Sequence, residues 1–238
     1  MACNTGISSS PTVDGTTLEF RVAALHNGLA LMEDLQTRSY WDHVTGECIH
    51  GPMRGAQLPQ VTPLRYYPAA KAVQRFPRAR LALSRPSVRQ RVLQRMVLRK
   101  MLGDEGHLPS VFTPSMTKDD ERRPRMELGL GVWWPGISRF YPMDVLRGRD
   151  RALLDGLGGR RILVFVDPGS TAPVAVRLDA HEHHWNGDEL VLDTGDVVRD
   201  LQRVDPQGAV HPLELVPQIF TRWYGFSATF PGCDVFER

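Results

Sequence analysis

Residues Val61 to Leu81 align without gaps on Leu215 to Val235, 154 positions downstream. Pro63 meets Pro217, Tyr66 meets Phe220, and Phe76-Pro77 meets Phe230-Pro231. Upstream, Gly55-Ala56 and Pro59 meet Gly208-Ala209 and Pro212 at an offset of 153, and Asn27-Gly28, Leu31 and Asp34 meet Asn186-Gly187, Leu190 and Asp193 at 159. A slowly drifting offset is what small loop insertions leave behind, so the ordered set points to an internal duplication. The chain is expected to fold as a β-rich α+β protein of two related lobes: 1–84, a helix and linker over 85–125, and 126–238.

Local signals fill in each lobe. Thr17 to Val22 alternates apolar and polar after the Asp14-Gly15 turn and reads as a strand. Leu29 to Met32 follows Asn27-Gly28, a hairpin turn pair, so the two runs predict a hairpin. Residues 66–76 place Tyr66, Ala69, Ala70, Val73 and Phe76 on one helical face, with Pro77 as the stop and Leu81-Ala82-Leu83 as a closing strand. In the second half Gly158-Gly159 marks the turn into the apolar strand Ile162 to Val166. Between the lobes, Ser87 with Gln90 forms a capping box and Gly103 a stop. Val88, Val92, Met96 and Val97 share a face there, with Arg89, Arg91, Arg95 and Arg99 largely elsewhere. This is a solvated amphipathic helix packed on one lobe, or one that meets a membrane surface or an acidic partner.

The chain of 238 residues is long enough for either one large or two small cores. Its formal charge of +2 carries no clustered basic excess, so no nucleic-acid partner is expected. No apolar run approaches the roughly 18–20 residues of a membrane span, and no signal peptide is visible. As written, the chain is expected in the cytoplasm; an export signal upstream of Met1 would change that. Three cysteines, Cys3, Cys48 and Cys233, are too few for a disulfide scaffold.

The repeat singles out the chain start. About forty residues, Glu127 to Val166, precede the position in the second half that matches Met1, and the first half has no counterpart to them. By the drift, Cys3 falls opposite Ser170, in Asp167-Pro168-Gly169-Ser170. Met1-Ala2-Cys3-Asn4-Thr5-Gly6 therefore reads as a strand-end thiol motif whose strand either lies upstream of Met1 or is supplied by a partner. Around it, His26, Asn27, Trp41, His43 and Cys48 are candidate pocket residues, with Trp41 beside Cys3. His43, Cys48 and His50 are candidate ligands for copper or zinc, although their spacing matches no standard metal signature. His181 and His183 in His181-Glu182-His183-His184 would share a strand face, as metal ligands or as exposed loop residues. Asp34 and Asp193, like Asn27 and Asn186, recur in both halves and read as turn-making structure. Cys233 lies in a terminal strand and is expected to be inert.

The stretch Leu25-His26-Asn27-Gly28-Leu29, Glu33-Asp34-Leu35-Gln36-Thr37-Arg38-Ser39-Tyr40-Trp41, Thr45-Gly46-Glu47, Gly51-Pro52, Gly55 and Leu58 resembles the domain of unknown function 3179 family. That family's pattern is a hairpin, an acidic-x-x-Thr-x-Ser-x-Trp segment, then Thr-Gly and Gly-Pro turns. Arg139-Phe140-Tyr141-Pro142 and Gly158-Gly159 through Val166-Asp167-Pro168 resemble its second half. The resemblance implies a Cys-x-x-Cys-Gly motif, or its selenocysteine variant, at the end of the first central strand. Cys3 would be its second, resolving cysteine and the residue before Met1 its first. A selenocysteine there would be encoded by UGA, read as a stop, with the frame restarted at Met1; a wrong start at an internal Met is the simpler alternative. The expected function is a thiol or selenol oxidoreductase acting on a redox partner or small-molecule substrate, with no cofactor required by the sequence. The alternatives are a copper- or zinc-binding protein using Cys3, His43, Cys48 and His50, and a non-catalytic binding or scaffold module.

Overall fold

The computed structural model describes residues 6–80, 87, 108–110, 112–116 and 119–237. Cys3, the helix expected between the Ser87 cap and the Gly103 stop, and the closing strand at Leu81-Ala82-Leu83 lie outside them. Two compact units are present. One draws on residues 1–64, 73–128 and 221–232, the other on 65–72, 129–220 and 233–238.

The first unit is built on short antiparallel strands. β1 (Ile7–Ser9) leads to the tight ribbon of β2 (Thr12–Val13) and β3 (Thr16–Thr17). β4 (Phe20–His26), β5 (Leu29–Asp34), β6 (Tyr40–Asp42) and β7 (Cys48–His50) form a four-stranded meander, and β8 (Gln60–Pro63) returns to pair with β1. The strand expected over Thr17 to Val22 is broken in two. Leu18 turns into the core beside Trp41, Cys48 and Leu58, its amide bonded to the Pro11 carbonyl at 2.9 Å, so the ladder restarts at Phe20. The β4–β5 hairpin turns at Asn27-Gly28, with φ of 51° and 74°, the two left-handed residues of a type I′ turn.

α1 (Ala69–Arg75) is shorter than the 66–76 segment read from the sequence. Pro68 explains the late start, because a residue before proline is pushed out of the helical region and Tyr67 stands there.

The second unit holds two four-stranded sheets and one of five. β9 (Leu128–Trp134) and β10 (Ile137–Pro142) form a hairpin followed by α2 (Met143–Gly148). β11 (Ala152–Leu157), β12 (Arg160–Val166) and β13 (Pro173–Arg177) are consecutive antiparallel neighbours. β12 is the strongly apolar strand expected, entered through Gly158-Gly159 with φ of 57° and 73°, and it is buried from Ile162 to Val166. β14 (His183–Asn186), β15 (Glu189–Leu192), β16 (Val197–Arg199), β17 (Gln202–Val204) and β18 (Val210–Pro212) form a five-stranded meander. β19 (Glu214–Leu215) pairs with β13, while β20 (Gln218–Arg222) and β21 (Asp234–Val235) flank the β9–β10 hairpin. A core of Leu163, Phe165, Val176, Leu190, Leu192 and Val198 joins the β12–β13 ladder to the meander.

The second meander turns one residue later than the sequence match implied. Asn186 pairs with Glu189 in the ladder, leaving Gly187-Asp188 as the loop, with only Gly187 at positive φ (63°). α3 (Trp223–Thr229) buries Trp223, Tyr224, Gly225, Phe226 and Ser227, all within the first unit. Among the described residues no helix is long and apolar enough to cross a membrane.

Candidate functional site

The acidic-x-x-Thr-x-Ser-x-Trp segment folds around its first residue. Asp34 ends β5 fully buried, and its carboxylate accepts from the Thr37 amide, the Thr37 hydroxyl at 2.8 Å, the Ser39 amide at 3.1 Å and the Trp41 indole N–H at 2.9 Å. Burial alone would raise its pKa. The Trp41 bond and those from Thr37 and Ser39 outweigh it and hold the carboxyl below the usual value. Each polar residue of the motif is thus a donor to one buried charge.

The turns that follow close onto the same cage. Asp42 Oδ1 accepts from the amides of Val44 and Thr45 at 2.9 and 2.8 Å, which sets the Thr45-Gly46 turn. Gly51 (φ 102°) lies so close to Ser39 that a Cβ would stand 2.7 Å from its Cα. Ser39 Oγ in turn accepts from the Met53 amide at 3.1 Å. The motif's spacing is explained by packing and hydrogen bonding, consistent with the turn-making role expected of Asp34.

Trp41 is fully enclosed in this core with Val13, Leu18, Cys48 and Leu58, and Phe20 meets its ring edge-on at 5.8 Å. Cys48 shares the core at 0% exposure, its thiol 3.4 Å from the His50 carbonyl. Burial pushes that thiol up, and the Asp34 and Glu47 charges add to it, the opposite of what an attacking thiolate needs. His43 Nδ1 donates to the Ala30 carbonyl at 2.8 Å, since a carbonyl only accepts, and burial lowers the ring's pKa so that it stays neutral. His50 is exposed, beside Tyr40 at 6.0 Å between ring centroids. Cys48 therefore points inward from β7 while His50 stays outside, and among the described residues no three His, Cys, Asp or Glu side chains converge on a metal-sized point.

His26 and Asn27 form the hairpin tip. Asn27 Nδ2 lies 3.4 Å from both His26 Nε2 and the Ala228 carbonyl, while the Gly28 amide donates to Ser115 Oγ at 3.1 Å. In the other unit the His181 amide caps Asp193, at 3.1 and 3.2 Å, and its Nδ1 accepts from Arg161 Nη1 at 2.5 Å. His183 sits on β14, its pKa lowered by burial. Cys233 is buried.

One polar network was not singled out in the sequence. Arg139 and Tyr141 alternate on β10 and so share a face. Both reach Asp155 Oδ2, at 2.7 and 2.6 Å, and Arg139 also meets Asp234 at 3.1 Å. Burial and the Asp155 carboxylate raise the Tyr141 pKa, so its hydroxyl remains a donor. The i, i+2 spacing in Arg139-Phe140-Tyr141 was the available signal; the partner, sixteen positions from Arg139, was not.

The β4–β7 meander is thus packed around a buried carboxylate. A family model described as a protein of unknown function (DUF3179) matches residues 2–233, and the chain belongs to that family. No curated protein and no solved structure matches it.

Proposed function

We propose that the chain is a thiol redox protein whose working group is Cys3. The observation that carries this reading is the burial of the other two thiols: the chain has three cysteines, and Cys48 and Cys233 are 0% and 3% exposed. Thiol exchange needs a thiolate with an open line of attack, so among these three thiols Cys3 is the one left for it.

The reading also draws on a duplication of the lobes. α1 and α3 span Ala69–Arg75 and Trp223–Thr229, both at the 154-residue offset of the sequence match. Each half has a β-meander opening on a two-residue hairpin loop. β1 pairs with β8 as β13 pairs with β19. Cys3 then corresponds to Ser170, which follows β12 in a tight loop closed by the Ser170 amide on the Asp167 carbonyl at 2.8 Å. A strand-end loop of this kind holds one side chain in place without burying it. In this reading the Cys3 thiolate attacks a disulfide supplied by a redox partner or small molecule, one of its sulfurs leaves as a thiol, and a second thiol from that partner or from solution then resolves the mixed disulfide on Cys3.

The test is alkylation of the native full chain followed by peptide mapping, with disulfide reduction measured in parallel. Cys3 should label at once, Cys48 and Cys233 only in denaturant, and Cys3→Ser should abolish exchange. Native labelling of Cys48 or Cys233 at the rate of Cys3, or exchange undiminished in Cys3→Ser, overturns the proposal.

A further inference from the structure

The formal charge of +2 conceals a clustered basic excess, which corrects the expectation drawn from the total. Between Glu47 and Asp104 the chain has no Asp or Glu, and residues 48–103 carry 12 Lys and Arg. That run is therefore +12 and the rest of the chain −10. A run without any carboxylate among its sequence neighbours is not neutralised locally, and it points to contact with an anionic partner.

The described part of this run is exposed. α1 (Ala69–Arg75) buries none of its residues, and Val73 and Phe76, three positions apart and so on one face, are 70% and 41% exposed. Arg75 lies over the Phe76 ring at 5.9 Å, and Pro77, Arg78, Ala79 and Arg80 follow, all of them exposed. A single exposed apolar side chain is ordinary. Here two share a face at a seven-residue helix, a length that is marginal in water and takes its stability from packing an apolar face. With Val73 at 70% exposure, the described residues do not supply that packing.

We propose that the stretch from Val73 to Arg80 is a peripheral membrane contact that lies on the surface of an anionic phospholipid bilayer. Val73 and Phe76 enter the boundary between headgroups and acyl chains, and Arg78 and Arg80 sit at the lipid phosphates. The two features act together: a short apolar face alone binds a bilayer weakly, and basic residues beside anionic lipid add to it. Their combination also selects the partner. A nucleic-acid backbone would satisfy the arginines and leave Val73 in water, whereas a bilayer takes both. Contact of this kind needs no spanning helix, and none is present among the described residues.

Co-sedimentation of the full chain with vesicles tests this. Vesicles of phosphatidylcholine with about one-third phosphatidylglycerol should bind the chain, and rising salt should release it. Pure phosphatidylcholine should bind it at least roughly tenfold more weakly. Arg78→Gln/Arg80→Gln should lower the partition coefficient on the mixed vesicles by roughly tenfold or more. Val73→Ser/Phe76→Ser, which keeps every charge, should lower it by roughly tenfold or more as well. Circular dichroism should show both variants folded like the parent. Equal binding to the two kinds of vesicle, binding to neither, or binding undiminished in either variant overturns the proposal. So does a labelled single-stranded oligonucleotide or polyglutamate peptide that binds more tightly than the mixed vesicles and is released by Arg78→Gln/Arg80→Gln, which would make the stretch a contact for nucleic acid or for an acidic protein.

Discussion

Asp34 is an ionised side chain with no exposure, made tolerable by four donors that lie within seven residues of it. Removing it with Asp34→Ala strands those donors in the core and is expected to cost at least ~2 kcal/mol, read as a lower urea midpoint. The pH dependence has a definite sign. The folded pKa is depressed, so the stabilisation is full above the unfolded value of about 3.9 and is lost as pH falls through the folded one. Between about pH 4 and the acid-unfolding midpoint, Asp34→Ala should therefore show a flatter stability profile than the parent chain. Gly28 is a second constrained position. Its φ of 74° disfavours any other residue, and a Cβ would stand 3.0 Å from Tyr224 and 3.3 Å from Met116. Gly28→Ala should cost about 1–2 kcal/mol from backbone strain alone, checked by chemical denaturation.

At the scale of elements, α1 and α3, which begin 154 positions apart in the sequence, have opposite fates. α1 buries no residue, and the face expected to pack leaves Val73 at 70% and Phe76 at 41% exposure. α3 buries Trp223, Tyr224 and Phe226, with Phe226 and Phe230 4.9 Å apart between centroids. Phe226→Ala is expected to lose roughly 3–5 kcal/mol and Val73→Ala to stay within about 0.5 kcal/mol of the parent. Equal losses in thermal denaturation would show that α1 is packed after all. Hairpins were the most legible elements. Asn27-Gly28 and Gly158-Gly159 supply positive φ at both loop positions, a requirement that acts over a few residues and so is written locally. The break at Leu18 was not legible, because only the core it enters distinguishes it from a continuing strand.

Across the whole molecule, neither unit is a continuous piece of chain. Residues 65–72 belong to the unit formed mainly by 129–220, where Tyr66 meets Phe220 at 5.5 Å and its carbonyl accepts from the Thr171 amide at 2.9 Å. Residues 221–232 belong to the unit formed mainly by the first half, where the Trp223 and Tyr224 amides donate to Glu127 and Arg125 carbonyls at 2.8 and 3.1 Å. Truncation after Phe220 should therefore unfold the first-half core as well as the chain end. Loss of the near-ultraviolet signal of the buried Trp41 is the measurement, and its full retention would contradict the interleaving.

The sequence by itself determined what acts over short range: the hairpin turns, the apolar β12, and the set of residues that cages Asp34. Tertiary structure alone decided that Cys48 and Trp41 are sealed in one core, and that α1 stays exposed while α3 is buried. Spacing carries propensity and alternation, which are properties of neighbours. Burial and pairing arise between residues dozens to hundreds of positions apart, and only the folded chain brings them together.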